Sequence, residues 1–110
     1  QNEKDEKKAP HTFKNGDIIA AVWGYTMRDV NFYLVVDDSK PRHVTIQPIE
    51  ANMESGDWMS GTKIPNPKNP KGNPYTCPTE VKKGESFLKL KSSITIARLW
   101  NGNPVSIHSD

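Results

Sequence analysis

"VNFYLVVD", residues Val30 to Asp37, is the stretch on which the fold turns. Side chains alternate across a β-strand, so Val30, Phe32, Leu34 and Val36 fall on one face and Asn31, Tyr33 and Val35 on the other. β-Branched and aromatic residues dominate, the composition a pleated surface prefers. Upstream, "FKNGDIIAAVW" opens with the turn signal Asn15-Gly16-Asp17 and continues as Ile18 to Trp23. That run is almost wholly apolar and suits a strand buried on both faces. Downstream, "DDSKPR" is a turn and "HVTIQPI" a third strand, with Val44 and Ile46 inward and Thr45 and Gln47 outward. Pro48 has no N–H to give a ladder, so this strand should end or bulge there.

From about residue 50 to 85 the pattern dissolves. "TKIPNPKNPKGNPYTCPTE" holds five prolines, which excludes a helix and argues against a central strand. The expectation is a long loop with polyproline II character. Strands resume at "ESFLKLKS" and "SITIARLW", where Ile94, Ile96 and Arg98 share a face. Asn101-Gly102 reads as a hairpin turn into a last short strand, "PVSIH". The sum is an all-β domain of five or six short strands: an SH3-like barrel with a long Pro-rich loop, or alternatively an OB-like barrel. Residues 1–12, polar and of mixed charge, read as a flexible tail, and residues 13–110 as a single domain.

At 110 residues the chain fits one domain with a modest core. No apolar run approaches the roughly 20 residues a membrane-spanning helix needs. The single cysteine, Cys77, excludes an internal disulfide and suits a reducing compartment, so a cytoplasmic location is expected, with secretion to the periplasm or beyond left open. Net charge is only +2, but residues 1–55 carry seven Lys/Arg against nine Asp/Glu, and residues 56–110 eight against four. The second half could therefore offer phosphates a mild basic face.

The opening pattern Gly16-Asp17-Ile18, then Trp23-Gly24-Tyr25, then Asn31-Phe32-Tyr33 with Val35-Val36, resembles that of small proteins found in bacteriophages and other mobile elements. The C-terminal "ARLWNGNPV" is similar to theirs as well. The resemblance covers the first two strands and the last turn, and leaves Ala51 to Glu85 and the N-terminal tail uncovered. It implies the same small β fold and a mobile-element origin, and brings no activity with it.

No reaction signature is present. Histidines 11, 43 and 108 lack metal-ligand spacing. Asp37 and Asp38 are adjacent and point apart. Cys77 and the Ser/His residues of "SIHSD" stand in no nucleophile motif. The expectation is a protein that is not an enzyme, with no cofactor and no metal. Aromatics and arginine most often anchor interfaces, so the candidate contact residues are Trp23, Tyr25, Arg28, Tyr33, Trp58 and Tyr75. Trp23 and Tyr25, flanking Gly24, could form with Tyr33 an aromatic groove, of the kind that binds proline-rich peptides or stacks bases. The blander reading puts Trp23 and Phe32 in the core. The chain's own "IPNPKNPKGNP" could lie across the groove as a lid. Lys82, Lys83, Lys89 and Lys91 are the candidates for a nucleic-acid contact, although arginine is scarce there. The preferred function is a protein-interaction module acting on an unidentified protein partner. Weak, nonspecific nucleic-acid binding comes second and a structural part of a virion third. No membrane partner is expected, and the oligomeric state is left open.

Overall fold

The computed structural model describes residues 10–24, 28–56, 60–89 and 95–108. The strand expected from the opening stretch is β2 (Asp29–Asp37), and it has a neighbour on each side. It pairs antiparallel with β1 (Ile18–Trp23), from Ile18 opposite Leu34 to Trp23 opposite Asp29. It also pairs with β3 (His43–Gly56), from Phe32 opposite Ile49 to Asp37 opposite Thr45. The N-terminal half of β3 pairs with β5 (Tyr75–Lys82), β5 with β6 (Glu85–Leu88), β6 with β7 (Ile96–Leu99), and β7 with β1. The pairing thus returns to its start and describes a ring of six strands. β3 runs on past the ring to pair with β4 (Ser60–Pro70), which pairs in turn with β8 (Val105–His108). All eight strands belong to one antiparallel sheet, and there is no helix among the described residues.

Strand alternation sorts the apolar side chains into two layers. The first cluster draws on every ring strand: Ile19 and Ala21, Val35, Val44 and Ile46, Cys77, Leu88 and Ala97, with Phe13 added from the N-terminal segment. The second uses the opposite face of β1 and β2, where Ala20, Val30 and Phe32 meet Ile49 and Ile107. β1 is therefore apolar throughout because it lies between two cores. The ring alone would leave Phe32 in water. The β3 extension, β4 and β8 fold back and cover it. An ion pair between Lys63 on β4 and Asp29 on β2, 2.9 Å long, fastens that covering layer.

The expected count of five or six strands and the long loop at 50–85 are both corrected by this topology. Most of that stretch is the end of β3, then β4 and β5. Prolines in and beside it are tolerated because a proline still offers a carbonyl: Pro48 accepts from Lys71 N–H at 2.7 Å and Pro78 from Lys89 N–H at 2.8 Å. The register also steps between Ile49–Pro70 and Glu50–Asn66, so Pro67, Lys68 and Asn69 bulge out of the ladder. Consequently the Pro-rich segment is sheet and not a lid, and Cys77 is a buried strand residue. The turn at Asn101-Gly102 exists, with Gly102 at φ +88°, but it does not make a hairpin. β7 pairs with β1 and β6, whereas β8 crosses to β4.

Two smaller expectations also change. Val36 does not join the face of Phe32. It is skipped by the register between Val35–Ile46 and Asp37–Thr45 and is 44 % exposed. Of the expected tail, residues 1–9 lie outside the described residues, while His11 and Thr12 are tied down. His11 N–H donates to Pro41 O at 2.8 Å. Its ring accepts from Phe13 N–H through Nδ1, so Nε2 is the nitrogen that donates, to the carbonyls of Lys40 and His43. Thr12 N–H donates to the buried Ser86 hydroxyl at 2.8 Å.

Candidate functional site

Tyr33 and Tyr75 lie 42 positions apart in sequence and line one cleft of about 340 Å³ with Pro48, Ile49 and Lys71. The sheet brings them together. Tyr33 stands opposite Pro48 across the β2–β3 ladder, and Tyr75 opposite Ile46 across β3–β5. Both tyrosines sit on the side of their strands that feeds the ring cluster, Tyr33 beside Val35 and Tyr75 in series with Cys77. Between β4 and β5 the chain is clamped to β3. Lys71 N–H donates to Pro48 O, and the Gln47 amide donates to both Pro48 O and Gly72 O, at 2.9 and 2.8 Å. Gly72, at φ +82°, makes the turn that this clamp requires. The clamp fixes where Lys71 and Tyr75 emerge.

Desolvation pushes the Tyr75 hydroxyl up to about 12, helped by the neighbouring Tyr33 phenol. Tyr75 as a whole residue is 44 % exposed, so part of its surface remains open to solvent. The sign of the linkage follows. A phenol with a raised folded-state value holds its proton longer when folded than when unfolded. Its stabilising contribution is complete below the ordinary tyrosine value near 10 and is lost as pH rises towards 12. Absorbance titration at 295 nm should show one tyrosine ionising near pH 12 in the folded protein, and Tyr33→Phe should lower that value.

The other expected contact residues disperse. Trp23 is in the inward series of β1 with Ile19 and Ala21 and is 38 % exposed, but it does not line the tyrosine cleft. Arg28 lines a second, larger cleft of about 490 Å³. That cleft is floored by Val22 of β1 and Ile96 of β7 and bounded by Arg98, Trp100 and Val105. Tyr25, Trp58 and Lys91 lie outside the described residues. Lys82 and Lys83 stand at the β5–β6 turn, with Lys82 3.5 Å from Glu80, and Lys89 is at the far end of the same hairpin. Cys77 is 4 % exposed, and burial pushes its thiol up, which keeps it protonated.

Sequence reasoning selected both tyrosines and missed Pro48 and the clamp, since nothing local says that residues 47–48 and 71–75 share a strand edge. It also missed the second cleft. That Ile96 and Arg98 share a face was visible, but which side of β7 would be covered was not. Among the described residues there is no group of three potential metal ligands and no helix long and apolar enough to cross a membrane. No protein-family model, no curated protein and no solved structure matches this chain.

Proposed function

We propose that this chain is a non-catalytic protein-binding module, that its ring of strands is an SH3-like barrel, and that the Tyr33–Tyr75 cleft is a principal contact surface. The observation that carries the reading is the convergence of two separately selected tyrosines on one clamped, partly open cleft. Tyrosine supplies a large amphipathic face at low entropic cost, which suits an anchor at an interface. A cleft fixed by backbone and amide hydrogen bonds loses little freedom on binding. The resemblance of the opening pattern to mobile-element proteins gives this reading its context: a small product that acts on a host component.

Lys71 beside the two rings favours a second reading, single-stranded nucleic acid, in which a base would stack on Tyr75 and Lys71 would meet a phosphate. The separation of Lys89 from Lys82 and Lys83 at opposite ends of the β5–β6 hairpin weighs against it, because phosphate tracking needs a continuous basic path. Capture of partners from a host lysate by the wild type, Tyr33→Ala and Tyr75→Ala tests the two readings. The protein-binding reading expects a captured protein that survives nuclease treatment and is lost with Tyr75→Ala. Tyr75 is an exposed strand residue, so the variant should keep the wild-type fold by circular dichroism.

A further inference from the structure

The outer layer of the sheet is covered on one side only. Over β2 it is closed by Ile49 and Ile107, but over β7 it continues uncovered, with Ile96 57 % exposed. β1 and β7 are paired there, Val22 opposite Ile96 and Ala20 opposite Arg98, so a contiguous aliphatic strip forms the floor of the larger cleft. Its volume of about 490 Å³ lies within the roughly 300–1,000 Å³ usual for ligand sites.

Among the described residues, two guanidinium groups border this strip and only one carboxylate. Arg98 lies 3.8 Å from Glu85, in a pair whose side chains are both about half exposed. Arg28 has no carboxylate within ion-pair distance among the described residues. The site therefore has unmatched positive charge next to exposed aliphatic surface. Trp100 is already engaged. Its ring stands edge-on to Phe32 with centroids 6.2 Å apart, and its indole N–H donates to Asn103 O at 2.7 Å.

We propose that this cleft binds an acidic peptide segment that carries an aliphatic side chain next to its carboxylates. The aliphatic group covers Val22 and Ile96, and the carboxylates take Arg28 and Arg98 through the planar donor pairs that guanidinium offers. Glu85 is the competitor already present. An incoming carboxylate would share or displace it at Arg98. This surface is separate from the tyrosine cleft, so it stands or falls independently of the function proposed above.

Fluorescence anisotropy with a fluorescein-labelled peptide of alternating aspartate and leucine, against its lysine–leucine counterpart, tests the assignment. The acidic peptide should bind at least ten times more tightly than the basic one. Arg28→Glu and Arg98→Glu should each weaken it about tenfold, and Ile96→Asp should abolish it. Glu85→Gln should tighten it, and Tyr75→Ala should leave it unchanged. Arg28, Arg98 and Ile96 are exposed, and unchanged thermal melts would establish that the variants fold. The proposal is overturned by equal affinity for the two peptides, by no binding of the acidic peptide at millimolar concentration, or by binding indifferent to both arginines. An oligonucleotide that competes with the same arginine dependence would also overturn it, in favour of a phosphate-binding surface.

Discussion

Phe32→Ala should cost about 3–5 kcal/mol in urea unfolding, a large share of the roughly 5–15 kcal/mol a domain has. Phe32 is 1 % exposed and is the largest buried side chain of the outer cluster. It contacts the edge-on ring of Trp100, and Ile49 and Ile107 close over it. The cavity left by alanine would be lined by residues from the β1–β2 face and from the covering strands. These are held by their own ladders and cannot collapse fully onto it. The loss should therefore exceed the transfer term alone. A measured cost below about 1 kcal/mol would mean that the outer cluster is surface decoration and not a second core.

Gly61→Ala should be the most damaging single-methyl addition in the covering layer. Gly61 faces Gly56 across β3–β4 and Ile107 across β4–β8. A Cβ there would collide with the backbone carbonyl oxygen of Ser55 and press on the Cα of Gly56 at 3.0 Å. The methyl of Met53, also at 3.0 Å, can swing away, but the two backbone atoms cannot move without breaking the ladder. Overpacking of this kind costs about 1–3 kcal/mol. The damage should be local. Amide exchange should rise at residues 61–64 and 105–108, while the ring residues Ile19 and Ile46 keep their protection. Uniform loss of protection would show instead that ring and covering layer unfold as one unit.

These two effects lie in the part of the chain that was hardest to read. β1, β2 and the start of β3 were legible because alternation and apolar content agree there. Val44 and Ile46 face inward as their spacing requires, and the centre of the Ile18 to Trp23 run, Ile19 to Ala21, is buried on both faces. The stretch from 50 to 85 misleads because prolines usually exclude a strand. Here they occupy ladder positions where a carbonyl suffices, or a bulge where no partner is needed. The Asn101-Gly102 signal correctly marks a turn, but a turn residue fixes only local direction. The partner of the next strand is set by where Ile107 can be buried, and that is on Phe32. The candidate site has the same history: Tyr33 and Tyr75 were recognisable as contact residues one at a time, and the Gln47–Gly72 clamp that joins their strands depends on a pairing 25 residues apart.

The function is tested most directly by capture from a host lysate on the immobilised domain, with and without nuclease, for the wild type and for Tyr75→Ala. The account predicts a defined protein partner that persists after nuclease treatment and falls at least tenfold with Tyr75→Ala. Recovery of nucleic acid that is lost in moderate salt, with no protein left after nuclease, would contradict it and make the Tyr33–Tyr75–Lys71 cleft a nucleic-acid surface.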